Sequence, residues 1–290
     1  MAFNILLQQL LNGLTIGVGY ALVAGGLAAI FGIMRIVNFA HGEFFMIAGY
    51  VLYYGMSVLG LPYFAAAALA IVAVVAFGYL IQRLTIEPLM ETDPLNTLLA
   101  TFALSLFMFH SVVVISGSGG RTIDTPFDGV ITLGNVILTE QKLLVMVAGV
   151  IFLGLLAVFL SHTPVGKQMR ATAENRYAAT VLGIDVKRID RFTFGLGIAL
   201  AAVAGVLIAP LTPLVPSVGT AYTLKAFAVI VLGGMGSIPG AIIAGVGLGM
   251  VEALTAGYLS SAWKDGVAFL VLITVLLTRP NGLFGQGVAH

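Results

Sequence analysis

Long apolar runs without formal charge dominate this chain and are separated by short polar stretches. Each of six such runs exceeds the roughly 20 residues with which an α-helix crosses a membrane. The six runs are Met1–Met34, Phe44–Gln82, Pro94–Gly120, Leu143–Gly166, Phe192–Leu224 and Ala226–Val251. A transmembrane β-strand is a segment of about ten residues in which apolar and polar residues alternate, and the six runs lack this alternation. The pattern therefore predicts an all-α, polytopic membrane protein with a single domain, 1–290.

Nine membrane segments can be delimited from the hydropathy pattern, and two of them are irregular. The nine are Ile5–Phe31, Val37–Leu59, Tyr63–Leu84, Leu95–Ser116, Leu143–Ser161, Phe192–Val215, Leu224–Leu232, Ala241–Leu259 and Gly266–Leu277. Val37–Leu59 begins with ionisable residues, and Leu224–Leu232 is too short to cross and runs into GGMGSIPG. Interrupted segments of this kind indicate discontinuous helices at a transport path. We expect about eight transmembrane helices, with one or both irregular segments as re-entrant or broken half-helices.

Three segments carry glycine or alanine at every fourth position, which places small residues on one helix face. Such a face lets two helix backbones approach closely in a membrane. The glycines expected at these contacts are Gly13, Gly17, Gly197, Gly205, Gly245 and Gly249. Chance is the alternative explanation, because the chain contains 36 glycines.

The composition excludes a soluble domain. Only 9% of the residues are charged, against about a quarter in soluble domains, and 60% are hydrophobic. The net charge of +1 gives no indication of nucleic-acid binding, and the lack of cysteine excludes disulfides and thiol chemistry. No Lys or Arg precedes the first apolar segment, and that segment is too long for a cleaved signal, so we interpret it as the first membrane helix.

Positive charge is concentrated in one connection, 163–191. Six of the 13 basic residues lie there: Lys167, Arg170, Arg176, Lys187, Arg188 and Arg191. Cytoplasmic connections are enriched in Lys and Arg, so this connection is predicted to be cytoplasmic. Two crossings earlier, Arg83–Asp93 falls on the same side. The connection Arg121–Lys142 falls outside, and its Asp124 and Asp128 are interpreted as a solvated surface that could meet a binding protein.

The basic connection also has a helical pattern. Apolar residues recur every four positions from Met169 to Val181, which predicts one short amphipathic helix over Lys167–Leu182. Pro164 is interpreted as ending the preceding helix, and Gly183 as ending this one in a left-handed conformation. The helix could be a solvated structural element, a helix in the lipid headgroups, or a docking helix whose apolar side enters a groove on a soluble partner.

Three long stretches resemble one family. AENRYAATVLGIDVKRI at 173–189 resembles the cytoplasmic loop of permease subunits from branched-chain amino-acid ABC importers. NGLTIGVGYALVAGGLAAIFGIMRIVNFAHGEFFMIAGY at 12–50 is similar to the start of the same family, and VLGGMGSIPGAIIAGVGLGMVEAL at 231–254 and RPNGLFG at 279–285 to its end. The chain length resembles the shorter, H-type subunit of these systems.

The resemblance implies a multi-pass permease of the bacterial inner membrane. Its partners would be a second, homologous permease, two cytoplasmic ATPases and a periplasmic substrate-binding protein. Branched-chain or related hydrophobic amino acids would be the substrate, with urea, short-chain amides and aromatic acids as alternatives within the family. A stand-alone secondary transporter is a further alternative, which would predict a buried charge pair or a proton relay.

The sequence contains no G-x-x-x-x-G-K-[ST] phosphate loop. We therefore expect no enzymatic activity and no cofactor in this subunit, with ATP bound by the partner subunits.

The resemblance further implies that the cytoplasmic helix couples ATPase closure to helix movement. The residues expected at this contact are Arg170, Glu174, Asn175, Arg176, Tyr177, Ala178, Ala179, Val181, Gly183 and Asp185. Tyr177, Ala178 and Val181 would pack in the ATPase groove, and the charged and amide neighbours would set its register by polar contacts.

Two polar breaks are candidates for the translocation path. Asn38, His41 and Glu43 occupy the first break, where they either cap a half-helix or contact substrate. The second break is formed by Gly233, Gly234, Gly236 and Ser237. It is either a tight turn or a gate.

The remaining charged residues and histidines near segment ends are not interpreted as functional. Lys225, Glu252, Lys264 and Asp265 are expected to extend to the membrane interface. His110 and His162 have no neighbours at ligand spacing, so no metal site is predicted.

Overall fold

The structure is a computed structural model that describes residues 2–127, 129–134 and 136–285. Its helices are α1 (Ala2–Met34), α2 (His41–Ser57), α3 (Tyr63–Ile81), α4 (Glu87–Leu89), α5 (Pro94–Ser116), α6 (Glu140–His162), α7 (Pro164–Glu174), α8 (Arg176–Val181), α9 (Val186–Ile208), α10 (Val218–Gly233), α11 (Ile238–Tyr258) and α12 (Lys264–Thr278). A π-helical turn, Gln82–Ile86, joins α3 to α4, and 3-10 turns follow α9 and precede α12.

Seven helices in the described part of the chain are long and apolar enough to cross a membrane. They are α1, α3 with its π-helical extension, α5, α6, α9, α11, and α12 with its preceding turn. The two irregular segments form the shorter helices α2 and α10, of 17 and 16 residues. The prediction of an all-α polytopic membrane protein is confirmed, and each of the nine predicted segments overlaps one of these helices.

A short hairpin lies in the connection between α5 and α6. Strands β1 (Val130–Leu133) and β2 (Val136–Thr139) pair antiparallel, with Val130 opposite Thr139. Arg121 pairs with Leu214 through two backbone hydrogen bonds of 2.8 and 2.9 Å, which ties this connection to the one after α9. Asp128, predicted as part of an outer surface, lies outside the described residues.

Helix α1 is the centre of the bundle. It packs against α6, α9, α10 and α11, and 83% of the residues in its most apolar stretch are buried. Helices α5 and α12 lie at the periphery. Only 17% and 6% of the residues in their most apolar stretches are buried. The apolar outer faces of these helices suit a lipid or protein environment rather than water.

The two ends of the described chain lie on opposite faces of the bundle. Near the start of α1, the Gln8 side chain donates to the Ile137 carbonyl in the hairpin, at 2.9 Å. At the end of α1, Arg35 donates to the Ala173 carbonyl of α7, at 3.2 Å. The Leu283 amide donates to the Leu232 carbonyl at the end of α10, on the same face as α7. The face that carries the basic connection therefore also holds the end of α1 and the end of the described chain, and the start of α1 lies on the opposite face.

Helices α1 and α11 are in close backbone contact at glycines. A methyl group on Gly13 would lie 2.7 Å from the Met250 Cα, and one on Gly17 would lie 2.7 Å from the Val246 Cα. A methyl group on Gly249 would overlap the backbone of Gly17. Any larger residue at these positions would force the two helices apart.

The remaining predicted glycines also lie at close approaches. A methyl group on Gly245 would lie 2.7 Å from the Ala21 amide nitrogen, and one on Gly197 would lie 2.8 Å from the Gly26 carbonyl oxygen. Gly205 faces the Phe45 carbonyl with no room for a side chain. Gly25, in the same small-residue series of α1, is 3.8 Å from its nearest neighbour and could accept a methyl group.

Candidate functional site

Helix α2 begins deep inside the bundle. Residues 35–40 follow α1 without regular helix, and Arg35 adopts a φ of 60° at the turn. The first residue of α2, His41, places its Nε2 3.0 Å from the carbonyl oxygen of Val23. Val23 lies eleven residues before the end of α1 at Met34, which corresponds to about 16 Å along the helix axis. The chain therefore returns towards the membrane centre before α2 starts.

Glu43 joins three helices at this depth. Its side chain is fully buried, and Oε1 accepts hydrogen bonds from Ser105 of α5, at 3.1 Å, and Thr220 of α10, at 3.0 Å. Its Oε2 has no hydrogen-bond partner among the described residues. Gly219 lies against this oxygen, and a side chain there would overlap the carboxylate. The site thus holds a buried carboxyl group with one oxygen unused.

Asn38 and His41 share this property. Asn38 Oδ1 accepts from the Ala40 amide at 3.1 Å, whereas Asn38 Nδ2 and His41 Nδ1 have no partner within the described chain. The Gly42 amide at the start of α2 donates to Thr223 of α10, at 2.9 Å. One amide at the buried start of α2 is therefore satisfied by α10, and Asn38 bonds within the break. The unused polar atoms leave substrate contact as the open alternative.

The second break lies on the same face as the basic connection. Gly234 and Gly236 have φ values of 101° and 86°, a region that residues with a side chain rarely adopt, and Ser237 accepts from the Gly240 amide to cap α11. The break lines a cavity of about 800 Å³ together with Arg170 and Glu174 of α7. The structure therefore places this break beside the cytoplasmic connection, apart from Glu43.

The cytoplasmic connection forms two helices, and the prediction of a single helix over Lys167–Leu182 is wrong. Asn175 is extended, with φ of −152° and ψ of 104°, and its Oδ1 accepts from the Ala178 amide to start α8. Helix α6 ends at His162, just before Pro164 as predicted, and Pro164 also begins α7, because proline tolerates the first turn of a helix. Gly183 has a φ of 83° just after α8, as predicted.

The apolar stripe of this connection is divided between two faces. Met169 and Ala179 are buried against the bundle, so Ala179 is not available to a partner. Tyr177 is 81% exposed, Val181 is 70% exposed, and Leu182 is 80% exposed. Leu182 was missed because only positions four apart were followed. An outward apolar patch of Tyr177, Val181 and Leu182 results, which we call the α8 patch.

Several polar residues predicted to contact a partner instead fix this connection to the bundle. Arg176 makes two hydrogen bonds to Asp190 of α9, at 2.7 and 3.0 Å, and donates to the Ile33 carbonyl of α1, at 3.1 Å. Asp185 caps α9 by accepting from the Arg188 amide. Asn175, Arg176 and Asp185, which were predicted to set the register of a partner, thus each form hydrogen bonds within this chain.

Two of the remaining residues differ in their contacts. Arg170 donates to the Leu160 carbonyl of α6, at 2.6 Å. Glu174 is exposed and forms no ion pair within residues 2–127, 129–134 and 136–285. Glu174 and Ala178 therefore remain accessible from the cytoplasmic side.

The α4 region and the start of α9 are also linked on this face. Arg191 binds both oxygens of Glu87, at 2.6 and 2.8 Å, and Lys187 binds Glu91 at 2.8 Å. The Lys187 ammonium, which donates to the Glu91 carboxylate, lowers the pKa of that carboxyl below its ordinary value. These pairs place Arg83–Asp93 on the same side as the basic connection, as the charge distribution predicts.

A buried ionic cluster, which the sequence did not indicate, joins α1, α10, α11 and α12. Lys225 Nζ lies 2.7 Å from Glu252, 2.8 Å from the Tyr20 hydroxyl and 2.8 Å from Asp265. The Tyr20 hydroxyl donates to the second oxygen of Glu252, at 2.7 Å. Glu252 is only 2% exposed, so the expectation that Lys225 and Glu252 extend to the interface is wrong. Lys225 and Glu252 directly flank the uncharged run Ala226–Val251 on its two sides, and this position was the sequence feature that could have indicated the pair.

Comparison with known proteins identifies the family. The model of the family described as branched-chain amino acid transport system / permease component matches residues 9–276. The chain belongs to this family. Among its relatives is the high-affinity branched-chain amino acid transport system permease protein BraD of Pseudomonas aeruginosa, which is 37% identical over 97% of this chain and 96% of the relative. LivH of Escherichia coli is 36% identical over 98% and 97% of the two chains.

A more distant relative is the probable branched-chain amino acid transport permease protein LivH of Methanocaldococcus jannaschii, which is 28% identical over 91% of this chain and 88% of the relative. Partial matches include the autoinducer 2 import system permease protein LsrC of Yersinia enterocolitica, which is 34% identical over 42% of this chain and 36% of the relative. With its apolar helices, this permease is a multi-pass protein of the bacterial inner membrane.

Proposed function

We propose that this chain is one permease subunit of an ABC importer that carries branched-chain amino acids into the cytoplasm. The observation that carries the proposal is the α8 patch in a chain of this permease family. Three large apolar side chains exposed on a charged cytoplasmic face are unfavourable in water and suit a partner groove. We assign that groove to an ATPase subunit, which would also bind the ATP that drives transport.

The rest of the assembly follows from the same proposal. A second, homologous permease would cover part of the exposed outer helices, and two ATPases would bind the cytoplasmic faces of the two permeases. A periplasmic binding protein would deliver the substrate and would set most of the choice between branched-chain amino acids, urea and amides. No cofactor is required in this chain.

The contacts of α8 suggest how movement would pass into the membrane. A displacement of the α8 patch would reach α9 through Arg176 and Asp190, and α1 through the Ile33 carbonyl. It would reach α3 through the Arg191–Glu87 pair. ATPase closure would therefore move the cytoplasmic ends of three membrane helices together.

Glu43 is the proposed contact of this subunit with the passing substrate. It lies at the point where α2, α5 and α10 meet, and its unused oxygen could accept a hydrogen bond from a substrate ammonium group. Asn38 and His41 lie in the same break before and at the start of α2, and each has one unbonded nitrogen that could contact the substrate.

Replacement of an exposed side chain of the α8 patch tests the docking role. We expect Tyr177→Asp to lower substrate-stimulated ATPase activity of the co-expressed transporter by about tenfold or more, because a carboxylate would have to enter an apolar groove, which costs more than the roughly 1–3 kcal/mol of burying a neutral polar group. Tyr258→Asp is the matched control, since Tyr258 is 54% exposed at the end of α11 on the other face.

The measurement combines ATPase assays with co-purification of the ATPase and uses leucine, isoleucine, valine, urea and short amides. Equal activity of the Tyr177 variant and its control would refute the docking role. Stimulation by urea alone would leave docking intact and refute the amino-acid substrate.

A further inference from the structure

A groove of about 1000 Å³ runs along α9 between α3 and the start of α7. Its lining is Val75, Tyr79, Val165, Gln168, Gly183, Asp185, Arg188, Ile189, Arg191, Phe192, Gly195, Leu196 and Ala199. The charged and amide residues lie at the cytoplasmic end, and from Phe192 onwards the α9 side of the groove is apolar.

One face of α9 carries this change from charge to hydrocarbon. Arg188, Phe192, Gly195 and Ala199 follow at intervals of four, three and four residues and therefore lie on one face of the helix. The Phe192 ring stacks on Phe159 of α6, with centroids 5.6 Å apart, and forms one wall. Beside it Gly195 has no atom within 4 Å of the position that a methyl group would take, so the groove is open there.

The mouth of the groove carries one arginine without an ion pair among the described residues, Arg188, next to the carboxylate of Asp185. Arg191 is neutralised by its two hydrogen bonds to Glu87, and Asp185 accepts from the backbone amide of Arg188, at 3.0 Å. The exposed guanidinium of Arg188 forms no ion pair or side-chain hydrogen bond with the residues that the structure describes. Arg188 is thus the basic group available to a ligand.

We propose that this groove binds one anionic phospholipid of the cytoplasmic leaflet. Its phosphate would accept hydrogen bonds from Arg188, and an acyl chain would lie along Phe192, Gly195 and Ala199. The order of arginine and apolar wall matches the order of phosphate and hydrocarbon in a leaflet, and an arginine without an ion pair at the end of a groove between membrane helices suits an anionic headgroup. A soluble partner would have to enter the hydrocarbon region to fill the apolar half, which argues for a lipid.

The experiment counts phospholipids retained by the purified full chain, using native mass spectrometry during titration with phosphatidylglycerol or phosphatidylcholine. The variants are Arg188→Gln, which removes the cation, and Gly195→Leu, which fills the groove. Arg279→Gln is the control for loss of an exposed cytoplasmic arginine. Gly154→Leu is the control for the glycine change, because Gly154 also has open space around it but lies on α6 outside the groove.

We expect the unaltered protein and both controls to retain one phosphatidylglycerol in preference to phosphatidylcholine. Arg188→Gln should weaken that retention about fivefold, the factor that corresponds to one basic residue near an anionic headgroup. Gly195→Leu should abolish it, and unchanged thermal unfolding of the variants would show that the fold is kept.

Equal retention by all five proteins, or equal affinity for the two lipids, would overturn the proposal. Retention that depends on Arg188 but not on Gly195, and that inorganic phosphate abolishes, would assign the site to a free anion instead. Loss of ATPase co-purification by Arg188→Gln in the co-expressed transporter, with unchanged lipid retention by the purified chain, would assign the groove to a protein.

Discussion

The two buried polar sites of this permease differ in how their hydrogen bonds are used. In the ionic cluster, Lys225 has three oxygen partners, and both oxygens of Glu252 are bonded. At the start of α2, Glu43 receives two hydrogen bonds on one oxygen and none on the other among the described residues. A fully bonded buried cluster stabilises contacts between helices, whereas unused buried atoms favour a ligand or a moving group.

Removal of the cation from the ionic cluster should have the largest effect on stability. Lys225→Met leaves the buried Glu252 carboxylate without its main partner, which typically costs about 3–5 kcal/mol. We expect a clear fall in the thermal unfolding temperature of the detergent-solubilised protein. Lys264→Met, at an exposed neighbouring lysine, is the matched control and should have little effect.

The double variant Lys225→Met with Glu252→Leu sharpens this test. It removes both charges, and apolar replacement of a buried pair is often neutral, so much of the lost stability should return. If Lys225→Met unfolds at the same temperature as the unaltered protein, the cluster does not hold the four helices together.

At Glu43 the expected effects are reversed, with a small change in stability and a large one in transport. Glu43→Gln keeps an acceptor for Ser105 and Thr220, so we expect a loss of less than about 2 kcal/mol. If the carboxylate meets the substrate ammonium, uptake into proteoliposomes should fall about tenfold, equivalent to ~1.4 kcal/mol. Unchanged uptake would assign Glu43 to capping alone.

The smallest expected effect is that of Ser105→Ala. This change removes one of two donors to Glu43 Oε1 and should lower the free energy of unfolding by about 1 kcal/mol. Thermal unfolding measures the loss, and the Ser111→Ala change, at a serine that bonds only within α5, is the control. A loss as large as that of Lys225→Met would remove the distinction between the two sites.

Hydropathy predicted the helices, and the position of Gly183 after an apolar repeat predicted its left-handed conformation, because these depend on residues close together in sequence. The break at Asn175 was missed, since the four-residue repeat from Met169 to Val181 continues through it. A hydropathy profile describes each segment separately and does not show which segments are in contact. The partners of Arg176 and Lys225, Asp190 and Glu252, therefore became visible only in the fold.

The glycine contact between α1 and α11 restricts where this subunit can deform. With Gly17 and Gly249 in backbone contact, neither helix can slide or rotate past the other without a collision. During a transport cycle the two helices should therefore move together as one rigid body. The boundary that opens and closes must lie elsewhere, and the sparsely packed α5, which carries Ser105 beside Glu43, is the flank with freedom to shift.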